Sequence, residues 1–360
     1  MEKLVSVVVP CFNADCWIGE AIDSCLNQTY SNVEIIVIDD GSTDNSLNII
    51  KSYGDRVRWE SVPNKGSNSA RNKGFSISKG EYILFLDADD YILPERIEKQ
   101  VKQLEKTGAD VVFSSVKSQK HLPNGTLVYG KSSDERFYLP GDDIVFSLLT
   151  GRRLAHTLSP IFTRDAVANS GGWDANITCS QDRDFILSVA LSGAKFSFLP
   201  GYYSIYRQYT NERRVSSKEK QARIESELLR TEKAEKELKK KRRSQEYATA
   251  IAEAYFRTLL HYSNHFSHSQ YLKVLKQIRR VDPNYRPDFI ALNVSSPLYK
   301  LLNGAFGFWN ASVIYKVAKD TMSFFPRFKR KRVNNALCEC NPVSDRVSRE
   351  GKNINAKVLS

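Results

Sequence analysis

Over its first 115 residues the chain alternates β-branched runs with segments whose apolar residues recur every three or four positions, which restricts it to an α/β fold on a mostly parallel, doubly wound sheet. Leu4-Val5-Ser6-Val7-Val8-Val9 is nearly continuous in β-branched residues, the pattern of a strand covered on both faces. Pro10 ends it. Ile18, Ala21, Ile22, Cys25 and Leu26 then form one face of a helix that finishes near Gln28-Thr29-Tyr30. Val33 to Ile38 repeats the strand pattern and runs into Asp39-Asp40-Gly41-Ser42-Thr43-Asp44. There Gly41 permits a tight turn, and Ser42 or Thr43 can cap the helix of Leu47, Ile49 and Ile50. A short strand, Val57 to Val62, leads through turn-rich Pro63 to Asn68 into a helix carrying Ala70, Arg71, Asn72 and Phe75. Asp110 to Ser114 is a further strand, after the helix of Ile97, Val101 and Leu104.

Between these, the apolar run Tyr82-Ile83-Leu84-Phe85-Leu86 delivers Asp87-Ala88-Asp89-Asp90 to a strand end. Three carboxylates crowded onto a packed strand end are costly unless their charge is offset, and Mg²⁺ or Mn²⁺ takes oxygen ligands of this kind. The other reading is a solvated acidic turn capping the helix near Pro94. Ligand crevices of doubly wound sheets lie at the carboxyl ends of the strands, where Asp39, Asp87 and Asp89 fall.

At 360 residues and 41% hydrophobic content the chain can build one large α/β domain and an appended module. It has no run near the roughly 18 apolar residues of a membrane span, and Met1-Glu2-Lys3 passes directly into a strand pattern without a signal peptide, so the expected location is the cytoplasm. The six cysteines lack paired zinc spacing and are read as reduced thiols. The net charge of +12 is concentrated late, in Lys239-Lys240-Lys241-Arg242-Arg243 and in Arg327 to Arg332. No aromatic-studded basic surface accompanies it, so nucleic acid is not an expected partner.

Residues 120–160 are less regular, with Pro123-Asn124-Gly125 as a hairpin turn and Pro140-Gly141-Asp142 before an apolar helix. Gln181-Asp182-Arg183-Asp184 opens a helix running to Leu191, and a strand pair, Lys195 to Leu199 and Tyr202 to Tyr206, closes the domain. Long charged helices follow from Glu212. Leu298, Leu301, Leu302, Ala305, Phe306, Trp309, Val313 and Val317 make an apolar stripe flanked by lysines, which suits either a helix packed on the first domain or one lying on an anionic membrane. The expected organisation is a domain over 1–211, divided near 115, a helical module over 212–325, and a basic, disordered tail over 326–360.

The run Val5 to Asn13, the Gln28-Thr29-Tyr30 helix end, Asp39 to Asp44, Ala70-Arg71-Asn72, and Gly80-Glu81-Tyr82-Ile83 through Asp90 together resemble family 2 glycosyltransferases. The resemblance implies a GT-A fold, a nucleotide-sugar donor (a UDP- or dTDP-sugar first), a divalent metal and inversion at the anomeric carbon. It makes 1–115 the donor-binding half and 116–211 the half that carries the acceptor and the base. Position by position it puts Asp39 on the donor base, with Pro10, Phe12 and Asn13 as the wall of that pocket and Arg71 near the base or diphosphate. Asp89 becomes the metal ligand, Asp87 the partner of the ribose or of metal-bound water, and Asp182 the general base, with Asp184 as its rival. A carboxylate suits the first role because it accepts the imide N–H of uracil or thymine, and the last because an inverting transfer needs one base and no covalent intermediate.

Two positions depart from the family pattern. Gln181 stands where an acidic pair usually has Glu, and Tyr206-Arg207-Gln208-Tyr209 carries Tyr209 where a His usually assists the metal or diphosphate. Arg207, Arg213 or Arg214 then become candidates to neutralise the diphosphate. The expected activity is a non-processive transfer to a carbohydrate or lipid-linked acceptor, in cell-surface polysaccharide or glycolipid assembly, with the basic C-terminus peripheral on an anionic membrane. The alternative is a non-catalytic nucleotide-sugar-binding or scaffold protein of the same fold. A dehydrogenase would need Gly-Xaa-Gly-Xaa-Xaa-Gly after the first strand, which is not there.

Overall fold

The computed structural model describes residues 2–122, 125–132, 143–151, 156–209, 220–287 and 312. Its N-terminal half runs β1 (Val5–Cys11), α1 (Ile18–Leu26), β2 (Val33–Asp39), α2 (Ser46–Ser52), β3 (Arg58–Ser61), α3 (Ser67–Ile77) and β4 (Tyr82–Phe85). β1 lies between β2 and β4 and is parallel to both, with Cys11 opposite Asp39 and Val8 opposite Phe85. Strand alternation gives β1 two buried faces. Val5, Val7 and Val9 pack with Ile18 and Ile22 of α1, while Val8 turns to the other side with Ile83, Phe85 and Phe162. α3 covers that second side closely. A Cβ on Gly74 would stand 2.3 Å from Val8 Cγ1, so only glycine lets α3 approach β1 this far.

The chain continues with β5 (Tyr91–Ile92), α4 (Arg96–Thr107), β6 (Val111–His121), β7 (Leu127–Ser132), α5 (Ile144–Leu149), β8 (Ile161–Thr163), α6 (Arg164–Asn169), α7 (Gln181–Leu191) and β9 (Phe196–Gln208). All nine strands join one sheet in the order β3-β2-β1-β4-β8-β6-β9-β5, with β7 paired to β6. The sheet is mixed. Parallel pairing holds across β1 to β4 and between β6 and β9, whereas β8 runs antiparallel to both of its neighbours and β5 antiparallel to β9.

The expected strand pair at 195–206 is instead the single strand β9, parallel to β6 along its length. Pro200-Gly201 is accommodated as an irregularity, since Ser114 lies opposite Leu199 and the next residue, Ser115, lies opposite Tyr202. β6 and β7 form a hairpin closed by Leu122 N–H to Thr126 O at 2.9 Å; Pro123 and Asn124 of the expected turn lie outside the described residues.

Three helices follow, α8 (Lys220–Lys240), α9 (Ala248–His261) and α10 (His268–Val281). Ile224 and Leu238 of α8, Ile251 and Tyr255 of α9, and Leu275 and Ile278 of α10 share one apolar cluster with Leu149 of α5 and Leu187 of α7. The helices are therefore packed onto the α7 side of the sheet domain. No helix among the described residues is long and apolar enough to cross a membrane. The boundary at 211, Arg213 and Arg214, the stripe from Leu298 to Val317 and the block from Arg327 to Arg332 lie outside the described residues.

Candidate active site

Where β1 and β4 end, a cavity of about 570 Å³ opens, and its walls include Pro10, Phe12, Asn13, Arg71, Asp87, Asp89, Asp182 and Tyr209. Eight of the eleven described residues singled out from the sequence thus meet in one space. Asp39, Asp184 and Arg207 are not part of its lining.

The β1 end is held by Asn13, whose φ of 49° is left-handed, a conformation asparagine tolerates better than most residues. Its Oδ1 accepts from Thr43 N–H at 2.7 Å, and its own N–H donates to Ser42 Oγ at 3.0 Å. Asp39 is 1% exposed at the end of β2, where it accepts from Ser42 N–H at 3.2 Å and from the Ser61 hydroxyl at 2.6 Å. Asp40 lines the cavity in its place and accepts the N–H groups of Lys65 and Gly66, each at 2.8 Å. Burial raises the Asp40 pKa against the effect of those two bonds.

Arg71 projects from α3 and is almost fully buried. Its guanidinium lies 4.3 Å from the Trp173 ring centre, donates to Asp87 Oδ1 at 2.6 Å, and reaches Asn68 Oδ1 at 3.1 Å and Gln181 Oε1 at 3.3 Å. Gln181 also accepts from the Ser67 hydroxyl at 2.9 Å, so the neutral residue in the acidic position ties α7 to α3.

Asp89 accepts from the Tyr209 hydroxyl at 2.9 Å, and the Tyr209 ring lies 5.0 Å from that of Trp17. Asp90 is fully buried and accepts the Arg207 N–H at 2.8 Å, which orients the acidic turn against β9. The Arg207 side chain is buried outside the cavity lining. It is sandwiched between Trp17 and Tyr91, ion-paired to Glu20, and bonded to the Asp89 carbonyl oxygen at 3.2 Å.

One oxygen each of Asp87, Asp89 and Asp90 falls within 4.8 Å of the others, and an all-carboxylate set of that span suits a hard divalent cation. Asp87 is engaged by Arg71 and Asp90 by the β9 backbone, and of the three Asp87 and Asp89 line the cavity.

Asp182 and Asp184 separate cleanly. Asp182 is at the first turn of α7 after Ser180, whose φ is 51°, and its Oδ1 accepts Arg183 N–H at 2.9 Å. Asp184 points the other way and is 2% exposed. It pairs with Lys233 of α8 at 2.8 Å, and burial raises its pKa although that lysine opposes the shift.

The cavity also takes His156, Thr157, Tyr206 and Arg223, which sequence reasoning missed. His156 meets the Tyr206 ring edge to face, with ring centres 4.5 Å apart, a contact with no sequence signal. Arg223 had a weak one, since Arg223, Ser226, Glu227 and Arg230 share one helical face. Two helices begin at the cavity wall, α3 through Gly66 and Ser67 and α7 through Ser180 to Asp182, and α8 contributes Arg223 to it. Helix N-termini carry partial positive charge and unpaired N–H groups, so the cavity is built for an anion beside its carboxylates.

The family described as Glycosyl transferase family 2 matches residues 6–141, a span that contains β1, β2, Arg71 and the acidic turn. The chain carries a family 2 glycosyltransferase domain. An uncharacterized glycosyltransferase of Rickettsia typhi is 46% identical over 189 residues, which are 51% of this chain and 57% of that protein. The uncharacterized glycosyltransferase EpsJ of Bacillus subtilis is 30% identical over 228 residues, 59% of this chain and 63% of that one. The chain spans less than two thirds of the length of these curated relatives. Among solved structures, S. aureus TarS 1-349 in complex with UDP-GlcNAc superposes with a TM-score of 0.61, covering 89% of each chain at 20% identity. That likeness shows a shared GT-A fold that extends past the domain into the helices that follow it.

Proposed function

We propose that this family 2 glycosyltransferase transfers a sugar, with inversion, from a nucleoside diphosphate sugar to an acceptor hydroxyl, with Asp182 as the general base. The observation that carries the reading is that Asp182 and Asp89 face one cavity while Asp184, the competing carboxylate, is committed to Lys233. Pro10, Phe12 and Asn13 form the wall for the nucleotide base, and Asp39, which does not line the cavity, supports that wall by accepting the N–H of Ser42, whose hydroxyl in turn accepts the Asn13 N–H. UDP is the first donor to try, because the TarS structures of this fold were solved with UDP and UDP-GlcNAc.

Asp182 takes the proton of the acceptor hydroxyl as its oxygen bonds to the anomeric carbon. The bond from that carbon to the diphosphate breaks on the opposite face. Arg71 fixes Asp87, and Tyr209 with the Arg207 sandwich fixes Asp89. Asp89, with Asp87 and Asp90 beside it, would hold Mn²⁺ or Mg²⁺, which when bound supplies positive charge to the leaving diphosphate. The helix starts at Ser67 and Gln181 offer further N–H groups to the same anion. The apolar stripe and basic block from 298 to 332 are the reason to look for the acceptor among lipid-linked or surface polysaccharide precursors at an anionic membrane.

The test is nucleoside diphosphate release from UDP-, dTDP- and GDP-sugars with Mn²⁺, Mg²⁺ or EDTA, in wild type and Asp89→Ala. Metal-dependent release lost in the variant supports the reading. Release that persists unchanged in EDTA and in Asp89→Ala removes the metal role, and tight nucleotide-sugar binding without any turnover favours a scaffold.

A further inference from the structure

Helix α3 is laced to the segment that leads into α7. Asn68 Nδ2 donates to the carbonyl oxygens of Asp174 at 2.7 Å and Ile177 at 3.1 Å, and Asn72 donates to the Trp173 carbonyl oxygen at 2.7 Å while accepting the Trp173 N–H at 2.9 Å. These bonds hold Gln181, the first residue of α7, against Ser67 and Arg71. Its Oε1 accepts from the Ser67 hydroxyl at 2.9 Å and from Arg71 Nη1 at 3.3 Å. A guanidinium only donates, so the oxygen of the carboxamide is the atom that faces it, and the orientation of the amide follows. The two N–H groups of Nε2 are left on the other edge. Among the described residues none accepts from them, and Gln181 is half-buried and lines the cavity.

This amide stands between the two ends of the reaction. Arg71 bonds Gln181 through Nη1 and Asp87 through Nη2, the latter at 2.6 Å, so one planar group ties Gln181 to the acidic turn, and the next residue along the chain is Asp182. In an inverting transfer the base and the leaving diphosphate act from opposite faces of the sugar, so the sugar lies between Asp182 and the acidic turn, and Gln181 flanks it. The carboxylates of Asp87, Asp89 and Asp182 accept hydrogen bonds from sugar hydroxyls, whereas Gln181 offers N–H groups. A hydroxyl pairs with either kind of partner. An oxygen that only accepts, in a carbonyl or a carboxylate, pairs only with a donor, and a Glu at this position would leave it unpaired or repel it.

We propose that Gln181 is a specificity-determining residue that donates from Nε2 to an acceptor-only oxygen on the transferred sugar, the carbonyl of an acetamido group or the carboxylate of a uronic acid. This rests on the transferase reading above, and it adds the chemical class of the donor sugar.

Gln181→Glu isolates the contact, because its carboxylate still accepts from Ser67 and Arg71 and only the cavity-facing atom changes from donor to acceptor. The full chain, wild type and variant, is titrated calorimetrically with whichever of UDP, dTDP and GDP binds it most tightly. The glucose, N-acetylglucosamine and glucuronic acid conjugates of that nucleotide follow, with each affinity taken relative to the free nucleotide. The expected result is that one of the last two binds the wild type at least about fivefold more tightly than the glucose conjugate, the gain of a single hydrogen bond, and which of them does so separates carbonyl from carboxylate. In Gln181→Glu that preference falls to within twofold, or inverts for glucuronic acid, while the glucose conjugate changes less than threefold. Three conjugates that bind the wild type alike, or a preference that survives Gln181→Glu, overturns the inference while the transferase reading stands. A glucose conjugate that loses as much as the preferred one overturns it by confining Gln181 to the support of Arg71. If no nucleotide binds the wild type, the transferase reading fails first and the inference with it.

Discussion

Replacing Arg71 tests how the acidic turn is held. The side chains of Arg71 and Asp87 are 5% and 30% exposed and meet at 2.6 Å, so solvent screens the pair only from the Asp87 side. Arg71→Gln removes a charge-assisted hydrogen bond, for which about 1.5 to 3 kcal/mol is usual. It also removes a cation over Trp173 at 4.3 Å, which contributes about 1 kcal/mol at a desolvated site. The partial exposure of Asp87 argues for the lower end of the first range, so the expected destabilisation is about 3 kcal/mol. Urea unfolding of wild type, Arg71→Gln, Asp87→Asn and the double variant isolates the pair. The expected coupling is about 1.5 to 2 kcal/mol. A coupling below about 0.5 kcal/mol, the level of an exposed surface pair, would refute the claim that Arg71 fixes Asp87.

Other outcomes follow from single contacts. Gly74→Ala forces a methyl against Val8 and is expected to cost about 1 to 3 kcal/mol, read by thermal melting; an unchanged melt would show that α3 can move off β1. Burial acts to raise the Asp44 pKa, but the Ser46 hydroxyl and N–H and the Asp15 N–H outweigh it and hold the carboxyl below its ordinary value. Its contribution to stability is thus complete above the unfolded-state pKa and is lost as pH falls through the lowered folded one. Asp44→Asn should therefore be less stable than wild type by about 1 kcal/mol at neutral pH, with the gap closing in acid; a gap independent of pH would contradict this. Tyr209→Phe removes the hydroxyl that orients Asp89, and Mn²⁺ affinity measured by calorimetry with nucleotide present is expected to fall about tenfold or more. Unchanged affinity would take Tyr209 out of the metal's support.

Much of the first 115 residues was legible because local pattern and tertiary role coincide there. The β-branched run of β1 is buried on both faces, and an acidic turn after an apolar strand has few places to go except the sheet's carboxyl edge. What stayed hidden depends on partners far away in sequence. Arg207 reads as a diphosphate ligand until Trp17, Tyr91 and Glu20 are seen to enclose it. Asp182 and Asp184 are equivalent as caps of α7, and only Lys233, 49 residues on, tells them apart. The charged helix α8 gives only a weak sign that Arg223 enters the cavity, because its spacing also suits a solvated face. The bend at Pro200-Gly201 looks like a hairpin, yet parallel pairing to β6 on both sides of it makes β9 one strand.

The central claim is that Asp182 removes the acceptor proton within this cavity. Its most direct test is the rate of transfer at saturating donor in wild type, Asp182→Asn and Asp184→Asn, with nucleotide affinity measured alongside. The account predicts a fall of about 10² to 10⁴ in Asp182→Asn with unchanged nucleotide affinity, and a destabilised but active Asp184→Asn. An active Asp182→Asn, or the large loss falling on Asp184→Asn in a still-folded protein, would contradict it.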